Sequence, residues 1–150
     1  MAKKKRQDKR IVNRRARYDY ELEDTFLLGI QLTGSETKSL RHGLGQLRGA
    51  YITVKDSELW LINAMISPAQ GTLIDQSDQS RTRKLLAKRR EIDRLIAEKQ
   101  IGRTIVPLEL ITTGRFIKLR AALGKGKKKY DKRESLKRRQ QEREIARQQG

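Results

Sequence analysis

Leu47-Arg48-Gly49-Ala50-Tyr51-Ile52-Thr53-Val54, then Lys55-Asp56-Ser57-Glu58, then Leu59-Trp60-Leu61-Ile62-Asn63-Ala64-Met65 reads as two strands joined by a four-residue turn. β-Branched and aromatic side chains fill both limbs, and the polar quartet between them has turn chemistry. An antiparallel hairpin at the centre of the chain makes the fold mainly β. Tyr51 and Trp60 have flat faces on which bases could stack, although aromatics in an alternating strand are more often packing groups.

Outward from this hairpin the same period recurs. Tyr18, Tyr20 and Leu22 alternate with Asp19, Glu21 and Glu23, and Phe26 to Leu32 is strand-like up to Gly34. Ser35 to Arg41 fits a short helix closed by His42-Gly43, with Thr37 and Leu40 facing inward and Lys38 and Arg41 sharing a side. Pro68 to Gln79 lacks periodicity and reads as a long loop. Leu85, Leu86, Ile92, Leu95 and Ile96 recur at helical spacing, so a helix is expected from about Thr82 to Gln100, stopped at Gly102. Arg103 to Ile111 and Arg115 to Leu123 form a second hairpin around Thr112-Thr113-Gly114, and Pro107 marks an edge or a bulge. The expected architecture is a small antiparallel barrel of oligonucleotide-binding (OB-like) type with accessory helices and basic disordered tails.

Charge divides the chain into three parts. The 150 residues carry a formal net charge of +18. Residues 1–15 hold 8 basic and 1 acidic side chains and residues 125–150 hold 11 and 4, so each arm is +7, while residues 16–124 hold 17 and 13. A nearly balanced OB-like barrel (16–124), the part expected to hold any binding face, is thus flanked by a basic N-terminal arm (1–15) and a basic C-terminal tail (125–150). The last 20 residues offer only Leu136, Ile145 and Ala146 to a core, which is too little to repay their ordering entropy. Lys, Arg, Gln and Glu there favour helix, so the tail is expected to become helical against a partner.

An excess of positive charge selects a polyanionic partner, nucleic acid first. With no cysteine and one histidine, His42, the chain has no thiolate nucleophile and no Cys- or His-rich metal site. Asp19, Glu21, Glu23 and Asp24 are the enzyme-like feature, but no histidine or nucleophile accompanies them, and they read as a solvated face. Gly124-Lys125-Gly126-Lys127-Lys128-Lys129 lacks the spacing and ending of a nucleotide-binding loop and reads as a flexible basic strap. No apolar run approaches membrane-spanning length and no signal-like segment follows the basic start, so a cytoplasmic, non-enzymatic protein without a cofactor is expected.

Four motifs in order resemble the signatures of the SsrA-binding protein (SmpB) family: Asn13-Arg14-Arg15-Ala16; Gly29 to Arg41 with Gly43; Arg81-Thr82-Arg83-Lys84-Leu85-Leu86; and Gly126-Lys127-Lys128-Lys129-Tyr130-Asp131-Lys132-Arg133. The resemblance implies a trans-translation factor. Such a protein binds the tRNA-like domain of transfer-messenger RNA (tmRNA), supports delivery with elongation factor Tu, and enters stalled 70S ribosomes so that incomplete proteins are tagged. It implies RNA contacts at Asn13, Arg14, Arg15, Lys38, Arg41, Arg83, Lys84, Lys125, Lys127 and Lys128. It also implies ribosome contacts at Tyr130, Asp131, Lys132, Arg133, Lys137, Arg138 and Arg139, with Tyr130 stacking near the small-subunit decoding centre. The chain departs from the family where Leu27 and Leu28 replace the usual Glu-Ala before Gly29, and where Met65 stands at a common His position. Composition alone also fits a ribosomal-RNA-binding or translation-associated OB-type protein.

Overall fold

The computed structural model describes residues 10–127 and 129–148 and, in the last helix, the side chains of residues 133, 134 and 136–146. Among the described residues nine strands and four α-helices follow in the order β1 (Ile11–Val12), α1 (Ala16–Asp19), β2 (Tyr20–Ile30), α2 (Gly34–Arg41), β3 (Gly45–Gln46), β4 (Tyr51–Lys55), β5 (Glu58–Ile62), β6 (Met65–Ile66), β7 (Arg83–Leu86), α3 (Arg89–Gln100), β8 (Thr104–Ile111), β9 (Lys118–Gly126) and α4 (Lys129–Gln148).

Seven strands pair in the order β1-β8-β9-β2-β7-β5-β4, all antiparallel, and β3 pairs with β6 separately. Both expected hairpins are present. In the first, Asp56 and Ser57 adopt φ of 53° and 57°, the left-handed pair that matches the twist of a tight hairpin. In the second, the β8–β9 register shifts between Pro107 and Glu109; this is the bulge that a residue without an N–H requires. The sheet does not close by strand pairing: β4 packs against β8, but no ladder joins them.

β2 is the common element of the sheet. Over 11 residues it pairs with β9 along most of its length and with β7 at Gly29 and Ile30. Its buried face carries Leu28 and Ile30 into a core completed by Leu40, Leu47, Leu59, Leu61, Leu85, Ile105 and Leu119. Helix α3 adds Ile92 and Leu95 to that core.

Two expectations are corrected. The segment from Thr82 does not begin a helix: residues 83–86 form β7, and the helix starts at Arg89 with Lys88 as its N-cap. Pairing with both β2 and β5 overrides the local helical spacing of the leucines. Tyr18 and Asp19 are not strand; the N–H groups of both donate to Arg15 O at 3.0 Å and close one helical turn. In the C-terminal tail, Lys129–Gln148 form the 20-residue helix α4, in line with its helix-forming composition. Among the described residues no helix is long and apolar enough to cross a membrane.

Candidate nucleic-acid interface

The positively charged side chains separate into those turned inward and those left facing solvent. Glu36, 2 % exposed, is the inward centre. It sits in the first turn of α2, where Thr33 N donates to Glu36 Oε1 at 2.9 Å and Glu36 N donates to Thr33 Oγ1 at 3.1 Å, a reciprocal cap. Arg81 donates to both carboxylate oxygens, through Nε at 3.1 Å and through Nη2. Arg83 Nε donates to Oε2 at 2.7 Å.

Arg83 itself is fully buried. Its remaining four N–H groups donate to Ala64 O, Arg81 O, Asp78 O and Gln79 O at 2.7–3.2 Å. One side chain therefore satisfies all five donors and ties the loop after β6 to α2. Burial pushes the Glu36 carboxyl up, but hydrogen bonds from Arg81, Thr33 and Arg83 outweigh it and hold the group below the usual glutamate range. Burial lowers Arg83, against the opposing pull of Glu36. Arg83, expected as an RNA contact, is thereby corrected to a structural residue with no donor left over.

Arg41 is likewise committed: Nη1 donates to Thr112 O at 2.9 Å and Nη2 to Arg115 O at 3.1 Å. Asn13 donates through Nδ2 to Pro107 O at 2.8 Å, pinning the first motif onto the β8 bulge. Lys127 Nζ donates to Arg17 O at 2.8 Å and its backbone N–H to Asp19 O at 3.0 Å, so the strap begins anchored on α1. Arg15 lies 3.6 Å from Asp19 and 5.1 Å from the Tyr18 ring centre.

The outward set includes Arg14, Lys38 and Lys125, all exposed, and half-buried Lys84 beside Trp60 in the ladder. Arg133, Lys137, Arg138 and Arg139 are exposed on α4. Lys128 lies outside the described residues; the backbones of Tyr130, Asp131 and Lys132 belong to α4, while their side chains lie outside the described ones.

Sequence reasoning missed a cleft of about 1200 Å³ at the open seam of the sheet, between residues 10–16, the 45–51 segment and residues 104–107 of β8. Arg14 and Arg48 line it without partners among the described residues, and Tyr51, 48 % exposed, stands beside them. Gly45 lies at its wall, where a Cβ would come within 2.5 Å of Leu40 Cδ2 and force that buried side chain to shift. Exposed cations around an aromatic face suit phosphates and an unstacked base.

The acidic run is neutralised from within. Asp24 pairs with Arg94 at 2.6 Å, Glu23 with Arg103 at 3.2 Å, and Glu21 stands opposite Lys125 in the ladder. Among the described residues no three His, Cys, Asp or Glu side chains gather as a metal site. Leu27 lies on the exposed face of β2, 47 % exposed and opposite Arg120, whose guanidinium is held by Glu109 at 2.7 Å.

Comparison with known proteins places these features in a family. The profile described as "SmpB protein" matches residues 10–150. The SsrA-binding protein of Trichormus variabilis is 52 % identical over 138 residues, covering 90 % of this chain and 88 % of its own. That of Synechocystis sp. is 45 % identical over 150 residues, covering 98 % and 97 %. Among solved structures, a chain described as "tmRNA-SmpB: a journey to the center of the bacterial ribosome" matches with a TM-score of 0.66 and 37 % identity, over 85 % of this chain and 94 % of that one.

Proposed function

This chain belongs to the SmpB family, and from that premise we propose that it binds the tRNA-like domain of tmRNA and delivers it to stalled ribosomes, where trans-translation tags the incomplete protein. The observation that carries this reading is a family match running unbroken through the sheet and the basic tail, residues 10–150. The curved seven-stranded sheet then acts as an OB-like barrel whose last seam is packed rather than hydrogen-bonded. Outward cations at Arg14, Lys38, Lys84 and Lys125 position it on folded RNA by phosphate contact, while unpaired bases supply recognition. The α4 tail occupies the messenger path near the decoding centre, with Tyr130 as a stacking group. Elongation factor Tu accompanies the complex, and the setting is cytoplasmic. The chain works by binding and carries out no chemistry of its own.

Capture of the tagged chain from cells, followed by sequencing of the bound RNA, tests this reading. Enrichment of one structured RNA that accepts alanine is the expected result. Recovery of ribosomal RNA alone overturns it in favour of a resident ribosomal protein.

A further inference from the structure

The six residues between β8 and β9 form a tip that is held at both ends. Thr112 and Ile117 are 8 % and 5 % exposed, and Gly114 turns the chain at φ 82°. The guanidinium of Arg41, from the end of α2, reaches across and donates to Thr112 O and Arg115 O, one carbonyl on each limb. A tip fixed in this way presents its side chains at set positions.

What it presents is Phe116, 69 % exposed, with Arg115 Cζ 5.5 Å from the ring centre. Arg115 and the adjacent Lys118 are exposed, as is Lys38 one turn before Arg41 on α2. None of these three cations has a carboxylate partner among the described residues. The other two cation–aromatic pairs among the described residues differ: Phe26 packs against the core and its Arg94 is paired with Asp24, and the Arg15 beside Tyr18 is paired with Asp19. Leu73 and Ile101 are more exposed than Phe116 but offer no π-face. An exposed aromatic ring with an unpaired guanidinium against it, and further exposed cations on the adjoining strand and helix, matches the chemistry of an unstacked base with its flanking phosphates. A protein partner would have to bring carboxylates to the same rim.

We infer that the β8–β9 tip, its backbone clamped by Arg41, is a base-stacking platform in which Phe116, with Arg115 against its ring, takes an unpaired base of the bound RNA. This rests on the proposed RNA-binding function and adds a site to it. Arg41 then serves RNA as a positioning residue through the backbone it holds.

The test uses the full chain and a transcript of the tRNA-like domain of tmRNA, beside a fully paired duplex of equal length. Phe116→Ala weakens binding to the transcript by roughly five- to a hundredfold, the range for loss of one stacked base. It leaves duplex affinity and the melting temperature unchanged. Phe116→Trp retains affinity and adds a second emitter to Trp60, and Phe116→Trp combined with Trp60→Phe shows a fluorescence quench on RNA addition that Trp60→Phe alone lacks. Equal affinity of native and alanine chains for the transcript overturns the platform while leaving the proposed function standing, and so does an equal loss on transcript and duplex. Normal transcript binding by Phe116→Ala with failed transfer on ribosomes assigns the tip to a ribosomal contact and also overturns it. Failure of the native chain to bind the transcript at all defeats the proposed function, and the platform with it.

Discussion

Arg83 and Arg14 carry the same guanidinium and are put to opposite uses. Arg83 is fully buried, with five donors spent on Glu36 and four carbonyls; Arg14 is exposed at the rim of the seam cleft with no partner among the described residues. A buried cation is tolerable only when every N–H is matched, because desolvation is otherwise uncompensated. An exposed one stays hydrated at little cost and can exchange its counterions for a phosphate. The net charge of +18 therefore overstates the charge available to RNA, and residue type alone does not separate the two uses.

The largest effect is expected at the inward centre. Glu36→Gln leaves the paired guanidiniums of Arg81 and Arg83 without their counter-charge, and removal of one partner from a buried pair costs about 3–5 kcal/mol. At about 2–4 °C per kcal/mol for a chain of this size, the melting temperature falls by roughly 6–20 °C. Because the folded carboxyl titrates below its ordinary range, its stabilisation is fully present above the unfolded value and is lost as pH falls through the folded one. Native and Gln chains should converge in acid. A penalty that disappears in 1 M salt at neutral pH would mean the pair behaves as an exposed one.

The tail is the outward extreme. Among the helices, α4 packs on α1, and every α4 side chain described is exposed. Truncation after Lys129 removes seven basic and four acidic residues and none of the described core. Melting temperature and binding to isolated tmRNA should hold, while peptidyl transfer to alanyl-tmRNA on ribosomes programmed with a truncated message should drop by at least about tenfold, the scale of one lost stacking contact or more. Equal losses in both assays would show that tail and sheet do not divide the work.

These two regions also mark where the sequence could be read. Alternation around Lys55–Glu58 and around Gly114 was enough for both hairpins, because strand period and turn chemistry are local. The β7 segment was not legible as a strand: Leu85 and Leu86 fit a helical stripe with Ile92 and Leu95, and only pairing with β2 and β5 puts Leu85 in the core and Leu86 over Gly29. Glu36 was missed because glutamates are seldom buried, although Thr33-x-x-Glu36 has capping-box spacing and flags a carboxylate that points back toward its helix start. The paired use of Arg81 and Arg83 depends on a loop carbonyl set from Ala64 to Gln79, which no local pattern encodes. Lys38 and Arg14, expected as RNA contacts, are exposed, whereas at Arg41 the reading missed two carbonyls more than 70 residues away.

A smaller effect is expected at the seam cleft. If about 5 phosphates are neutralised, the slope of log affinity against log salt is roughly −3.5 to −4.5. Arg14→Ala with Arg48→Ala should bring it closer to zero by about 1.4–1.8, at about 0.7–0.9 per lost contact. The melting temperature should stay within error, since neither guanidinium holds another part of the chain. An unchanged slope would take the cleft out of the RNA footprint.

The smallest effect belongs to Asp24, where the comparison is most easily broken. Its carboxylate lies 2.6 Å from Arg94 Nη2, about as close as Glu36 lies to Arg83, but the two side chains are 53 % and 66 % exposed. If distance decided the energy, Asp24→Asn would cost nearly as much as Glu36→Gln. If burial decides it, water and salt screen the pair, and the loss is at most about 1 kcal/mol. Part of Arg94 also survives the change, because its guanidinium lies 5.2 Å from the Phe26 ring centre and that contact does not need the carboxylate. We expect Asp24→Asn to lower the melting temperature by no more than about 4 °C at low salt and to be indistinguishable from native at 1 M salt, where the Debye length is about 3 Å. Glu36→Gln should keep most of its penalty at the same salt. Parallel melts of the two variants across ionic strength measure the difference directly; a salt-resistant loss at Asp24 equal to that at Glu36 would show that pairing geometry, not burial, sets what these ion pairs contribute.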